Sequence, residues 1–78
     1  MYFTKDEIIE LTDKKKYLVL DTAILDEKSY FKVKEVDENY ENLIGDYKII
    51  TAVNDNGALY ISEDIKPDEL DKLKELFN

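Results

Sequence analysis

Apolar and polar residues alternate with a period of two along most of the chain, and this pattern predicts β-strands. The longest predicted strand, residues 16–25, is rich in β-branched and aromatic residues and contains neither Gly nor Pro. The chain then turns at residues 26–29 and returns as a strand over residues 30–36. Further strands are predicted over residues 47–53 and 58–62, so that consecutive strands pair as an antiparallel meander.

Two turns set the pairing of these strands. The pair Asn56-Gly57 favours a type I′ hairpin turn, because both loop positions need φ > 0. For the earlier hairpin, loop residues 27 and 28 give a register in which Ile24 faces Phe31. In that register apolar residues meet apolar ones and opposite charges meet, as cross-strand pairing prefers. We therefore expect this register for the first long hairpin.

The segment 7–11 is ambiguous between helix and strand. Thr4 and Glu7 fit a helix capping box, but a segment this short is marginal for a helix. We favour a strand that pairs with the next one, and the helix is the alternative.

The end of the chain changes to a helical period. Pro67 suits the first turn of a helix, and the apolar residues that follow recur on one face. The sequence predicts an amphipathic helix over residues 67–77. Its apolar stripe consists of Leu70, Leu73, Leu76 and Phe77.

Both faces of the long predicted strand are apolar, and a flat sheet cannot bury both. Under regular alternation one face holds Ile9, Leu11, Leu18, Leu20, Ile24, Phe31 and Val33, and the other holds Ile8, Tyr17, Val19, Ala23, Leu25, Tyr30 and Val36. The sheet must curl into a small barrel, accept the helix on one face, or hide a face in a dimer. The predicted fold class is α+β, mainly β: a curled antiparallel five-strand meander or small barrel with a C-terminal amphipathic helix. Residues 1–78 form a single small domain.

The composition removes the side chains on which most catalysis depends. The chain has no Cys, His or Arg, and therefore no thiolate nucleophile, no usual general base and no bidentate phosphate fork. Its two glycines stand apart, so no glycine-rich phosphate loop forms. We predict that the protein is not an enzyme and needs no cofactor.

The charge is concentrated in the second half of the chain. The 11 Lys and 19 acidic residues give a net charge of −8, all of which falls in residues 35–78. The densest acidic stretch, residues 35–46, fails the spacing of a calcium loop, because the required Gly falls on Asn42 when the loop begins at Asp37. A solvated loop is therefore expected there, with no metal.

The same charge and the short apolar runs limit the partners. A domain of charge −8 repels phosphates, so direct nucleic-acid binding is not expected. The apolar runs are too short for a membrane span, and we expect a cytoplasmic protein without membrane contact.

Three segments near the start of the chain share a recognisable order. Residues 8–13, 17–21 and 25–30 are arranged as a strand, a turn, a strand ending in Asp, an acidic turn and a strand containing Tyr. In this order the chain resembles the small acidic YrzB-like bacterial proteins, a family of unknown function. The resemblance implies a β-rich fold with a C-terminal helix and supplies no functional residues. Residues 37–46 depart from the family pattern.

Two functions fit these observations. The first is a non-enzymatic protein-binding module of a bacterial or phage cytoplasm, with a homodimer among the expected forms. The alternative is an acidic nucleic-acid mimic that inhibits a host nucleic-acid-binding protein, as anti-CRISPR or anti-restriction proteins do; it requires one continuous acidic face. The candidate partner-binding residues are Glu35, Asp37, Glu38, Tyr40, Glu41, Asp46, Asp64, Asp68, Glu69 and Asp71.

Overall fold

The computed structural model describes residues 2–77, in which five antiparallel strands precede one helix. The elements are β1 (Ile8–Glu10), β2 (Lys16–Leu25), β3 (Lys28–Val36), β4 (Leu43–Asp55), β5 (Ala58–Ser62) and α1 (Pro67–Leu76). Each strand pairs with the next along the chain, in the sheet order β1-β2-β3-β4-β5. The predicted meander with a C-terminal helix is confirmed, and the sheet is a curled half-barrel.

The ambiguous segment near the start is a strand, as preferred. Ile9 of β1 pairs with Tyr17 of β2. Thr4 and Glu7 do make a capping-box contact, in which the Thr4 backbone N–H donates to Glu7 Oε1 at 3.0 Å. That contact closes a turn rather than a helix, because Asp6 between them has a φ of 73°.

The predicted register of the β2–β3 hairpin is wrong by two residues. Its loop consists of Asp26 and Glu27, with φ values of 51° and 67°, so Ile24 faces Ser29 instead of Phe31. A shift of two residues leaves every side chain on the same face of the sheet. Alternation alone therefore cannot distinguish the two registers.

The predicted assignment of side chains to the two faces of the sheet is wrong in the first half of β2, because the strand contains a β-bulge. The pairing with β3 shifts by one residue between Val19 and Asp21, at Leu20. One added residue reverses the alternation of side chains. Tyr17 and Val19 consequently share a core with Phe31, although regular alternation places them on the opposite face.

The curl buries the concave face of the sheet. The ring of Phe3 meets the ring of Phe31 edge-on, with centroids 5.0 Å apart, so the segment before β1 covers part of this face. Leu11 and Ile61 are partly buried at its margin. The concave core consists of Phe3, Ile9, Tyr17, Val19, Phe31, Val33, Ile50 and Ala52.

Helix α1 covers part of the convex face. Leu73 of α1 and Phe77, the residue directly after the helix, are buried with Tyr30 of β3. The Tyr30 hydroxyl also donates a hydrogen bond to Glu69 Oε2 at 3.1 Å. Leu76 belongs to the predicted stripe but stays exposed, so only part of that stripe packs against the sheet. Partly buried residues complete this second core: Ala23, Leu25, Ile49 and Ile65.

Leu73 should be the main anchor of the helix. Its side chain is 0% exposed, whereas that of Leu76 is 51% exposed. Leu73→Ala is expected to lower the free energy of unfolding by about 2–5 kcal/mol, because it leaves a cavity between helix and sheet. Leu76→Ala is the matched control and should stay within about 0.5 kcal/mol of the natural chain. Urea unfolding followed by circular dichroism compares the two, and equal losses would contradict this packing.

The β2–β3 loop offers a stabilising change. Glu27 has a φ of 67°, a conformation that is strained for a residue with a Cβ and free of that strain for glycine. Glu27→Gly is therefore expected to raise the melting temperature by a few degrees, the size expected from about 1 kcal/mol in a domain this small. Glu38→Gly, at an exposed turn position without positive φ, should lower it slightly. A drop with both variants would contradict the loop conformation.

Candidate functional site

The acidic stretch forms a compact β3–β4 turn organised by one carboxylate. Asp37 accepts a hydrogen bond from the Glu41 backbone N–H at 2.9 Å and another from the Asn42 side-chain amide at 3.1 Å. The pKa of Asp37 is lowered mainly by the Glu41 N–H, which favours its charged form. Tyr40 is exposed in this turn with a φ of 59°. Asp37 therefore acts locally as a turn-forming residue.

The solvated loop expected over residues 35–46 is shorter in the structure, because β3 extends to Val36. Strand β4 begins at Leu43, and a bulge lies between the pairs Glu35–Ile44 and Val33–Lys48. Gly45 has a φ of 71° there, and this left-handed conformation favours glycine. The glycine that looked like a loop residue is therefore inside a strand, and Asp46 belongs to the same bulge.

The acidic turn faces a run of three lysines. A cleft of about 520 Å³ is lined by Lys14, Lys15 and Lys16 on the β1–β2 side and by Glu35, Val36, Asp37, Glu38, Tyr40 and Ile44 on the other. Lys15 Nζ lies 3.8 Å from Glu35 Oε1. This surface is therefore of mixed charge.

The remaining candidate acids lie elsewhere. Glu69 contacts Tyr30, and Asp68 and Asp71 share its helix. Tyr30 and Asp37 are seven residues apart in sequence, a spacing of about 23 Å along a strand. Asp64 lines a different cleft. The nine candidate carboxylates are thus distributed over separate regions.

A second cleft lies where the two edge strands of the half-barrel approach each other. It has a volume of about 540 Å³ and is lined by Glu10, Leu11, Thr12, Asp13, Ile61, Ser62, Glu63 and Asp64. Leu11 and Ile61 are partly buried against the concave core, whereas the four carboxylate residues are exposed. The cleft therefore combines an apolar floor with an acidic rim.

One lysine connects the two sides of this cleft. Lys48 Nζ lies 4.4 Å above the Tyr17 ring and 4.0 Å from Asp13 Oδ2, and it forms an ion pair with Glu63. The Tyr17 hydroxyl donates to the same Asp13 oxygen at 2.6 Å. These contacts join the β1–β2 turn, β2, β4 and the residue after β5. They hold the open side of the half-barrel together through side chains.

The pKa shifts of Asp13, Tyr17 and Lys48 move each group further from titrating near neutral pH. The Tyr17 hydroxyl and the Lys15 backbone N–H lower the pKa of Asp13, whereas burial and Asp13 raise the pKa of Tyr17. Burial alone would lower the pKa of Lys48, but its hydrogen bonds to Glu63 and Tyr17 outweigh that effect and raise it. Near neutral pH the carboxylate, the phenol and the ammonium each keep one protonation state. The network suits structural bridging rather than proton transfer.

Residues 2–77 contain neither a candidate metal-binding cluster nor a helix that could span a membrane. No group of three or more Asp or Glu side chains in that range is placed to hold a metal ion. No helix in that range has the length and apolar character needed to cross a membrane.

Strand β5 has a free edge in the part of the chain that the structure describes, since its only strand partner there is β4. The two-residue loop makes Asp55–Ala58 a hydrogen-bonded pair. The backbone groups of Leu59 and Ile61 consequently point away from β4. Leu59 and Tyr60 are 43% and 60% exposed.

Sequence reasoning missed this edge, although a signal was present. Residues 58–62 carry no charge in a chain that is 38% charged. An uncharged strand is ordinary at the centre of a sheet and unusual at its edge. The absence of charge becomes informative only once the topology shows that β5 is the last strand of the sheet.

Neither a protein-family model, a curated protein nor a solved structure matches this chain. The resemblance of residues 8–30 to the YrzB-like proteins therefore stays a prediction from the sequence.

Removing the Tyr17 hydroxyl tests the network. The depressed pKa of Asp13 contributes stability above its unfolded-state value of 3.8, and that contribution is lost as the pH falls through the folded-state pKa. Tyr17→Phe should raise the pKa of Asp13 and shrink this contribution on the acid side. Carboxyl chemical shifts measured by NMR across pH 2–6 (about the range in which Asp titrates) follow the change. Asp37 is the internal control, and an unchanged Asp13 or an equal shift of Asp37 would contradict the assignment.

Proposed function

We propose that this chain is a non-enzymatic protein-binding module of a bacterial or phage cytoplasm, which binds an extended segment of its partner along the free edge of β5. The observation that carries the proposal is the unpaired, uncharged edge at Leu59–Ile61. Edge strands usually carry charged residues or Pro that prevent pairing. Strand β5 has neither between residues 58 and 62, so the edge is suited to β-strand addition.

The side chains beside this edge would select the partner. Tyr60 lies opposite Val53, which is 45% exposed, so an apolar surface accompanies the edge on one face of the sheet. Glu63 and Asp64 follow the strand directly. Their charges disfavour an acidic segment and favour a neutral or basic one. The preferred partner segment is thus extended, apolar at alternate positions and free of acidic residues.

A binding role also agrees with the chemistry of the cleft. The chain lacks Cys and His, and the directions of the Asp13, Tyr17 and Lys48 pKa values keep those groups in fixed protonation states. Nothing observed favours the nucleic-acid mimic, because the acidic turn shares its cleft with Lys14–Lys16. The carboxylates on α1 belong to another part of the surface.

Blocking one backbone group tests the proposal. The Leu59 N–H points away from β4, so Leu59→Pro removes a donor needed by an added strand without breaking the β4–β5 ladder. Leu59→Ala removes the side chain but keeps that donor, and it is the matched control. Immobilised natural chain and Leu59→Ala are expected to retain the same protein from a bacterial lysate, which Leu59→Pro loses.

Thermal unfolding should first confirm that both variants fold. Equal capture by Leu59→Pro would show that binding uses another surface. The natural chain retaining no protein and also showing no self-association would count against the proposal.

A further inference from the structure

We propose that the segment bound at the β5 edge is β5 of a second copy of this chain, paired antiparallel about a two-fold axis at Tyr60. The inference rests on the proposed function, since it uses the same edge. It adds the identity of the partner and the register of the contact.

The free backbone groups of β5 are complementary to themselves. Leu59 and Ile61 direct their N–H and C=O groups away from β4. When two copies meet about Tyr60, Leu59 of each lies opposite Ile61 of the other. Both pairs can then exchange N–H···O=C bonds within the five-residue strand. An axis at Leu59 or at Ile61 would instead require residues outside the strand.

Charge favours the axis at Tyr60 over an axis at Leu59. The chain has a net charge of −8, so two copies repel unless their acidic residues stay apart. About Tyr60, Glu63 of one copy is level with Gly57 of the other, which is uncharged. About Leu59, the same Glu63 would face Asp55. Like charges opposite each other destabilise a strand pair, and the axis at Tyr60 avoids this repulsion.

Pairing of two copies also covers exposed apolar surface, and it leaves no long edge to which a third copy could add. The two Tyr60 rings, each 60% exposed, would meet at a non-hydrogen-bonded pair on the face that carries Val53. The outer edge of each copy would then be β1, which has only three residues. Such a short edge offers little for further pairing, so the assembly closes as a dimer.

The contact is small, and this sets its expected strength. Two five-residue strands bury less than the roughly 1,000 Å² typical of stable interfaces. We therefore expect a reversible dimer that depends on concentration. Added salt should strengthen it, because screening reduces the repulsion between two acidic copies.

Disulfide cross-linking of single introduced cysteines can test the register directly, because the chain has no Cys of its own. Residues that face each other in a non-hydrogen-bonded pair have Cα atoms about 4.5 Å apart, within the range for a disulfide. Tyr60→Cys should therefore form a covalent dimer under mild oxidation. Leu59→Cys is the matched control: its equivalent in the other copy is offset by two residues along the strand, out of disulfide reach. It should stay largely monomeric.

Sedimentation of the unmodified chain over a concentration series gives an independent measurement. We expect a shift from monomer to dimer mass that Leu59→Pro abolishes and Leu59→Ala retains. A monomer at every concentration, equal cross-linking of both cysteine variants, or a dimer insensitive to Leu59→Pro would each overturn self-pairing. A monomer whose capture of another protein is still lost with Leu59→Pro would overturn this inference and leave the proposed function standing.

Discussion

The bulge at Leu20 in β2 is the feature on which the rest of the structure depends. Before it, Tyr17 and Val19 face the concave core; after it, Ala23 and Leu25 face α1. A regular strand with apolar residues on both sides would need two cores over its whole length. The bulge lets one strand serve two cores in succession, which is why a curled sheet and one short helix are sufficient for a chain of 78 residues.

The curl leaves the half-barrel open, and its opening is bridged by side chains rather than by a strand ladder. Lys48 reaches Asp13 on one side and Glu63 on the other while lying over the Tyr17 ring. A partly exposed ion pair of this kind contributes modestly to stability. It also links the segment that follows β5 to the β1–β2 turn across the opening of the half-barrel.

Sequence patterns predicted what depends on local periodicity and missed what depends on a residue count between strands. The bounds of β2 and β5 and the start of α1 at Pro67 agree with alternation and with turn chemistry. The β2–β3 register does not agree with the prediction, because a shift of two residues leaves each side chain on the same face of the sheet. The bulge at Gly45 was equally hidden, since an isolated glycine after a polar stretch is also typical of a loop. Clusters formed by residues far apart in sequence, such as Lys48 with Glu63, require the register and so could not be predicted.

The two edges of the sheet differ in length and in charge, and the proposed binding role of β5 rests on this difference. A closed barrel has no edges, whereas a half-barrel has two. At β1 the edge is three residues long and ends at Glu10, which pairs with Lys16. At β5 it is five residues long and uncharged. The protein has 30 charged side chains among 78 residues, yet none lies on this edge. An exposed edge strand without charge is prone to pair with a strand of another chain. The opening that Lys48 bridges and the edge that remains free are two consequences of the same incomplete closure, which makes β5 the place where a partner strand would complete the sheet.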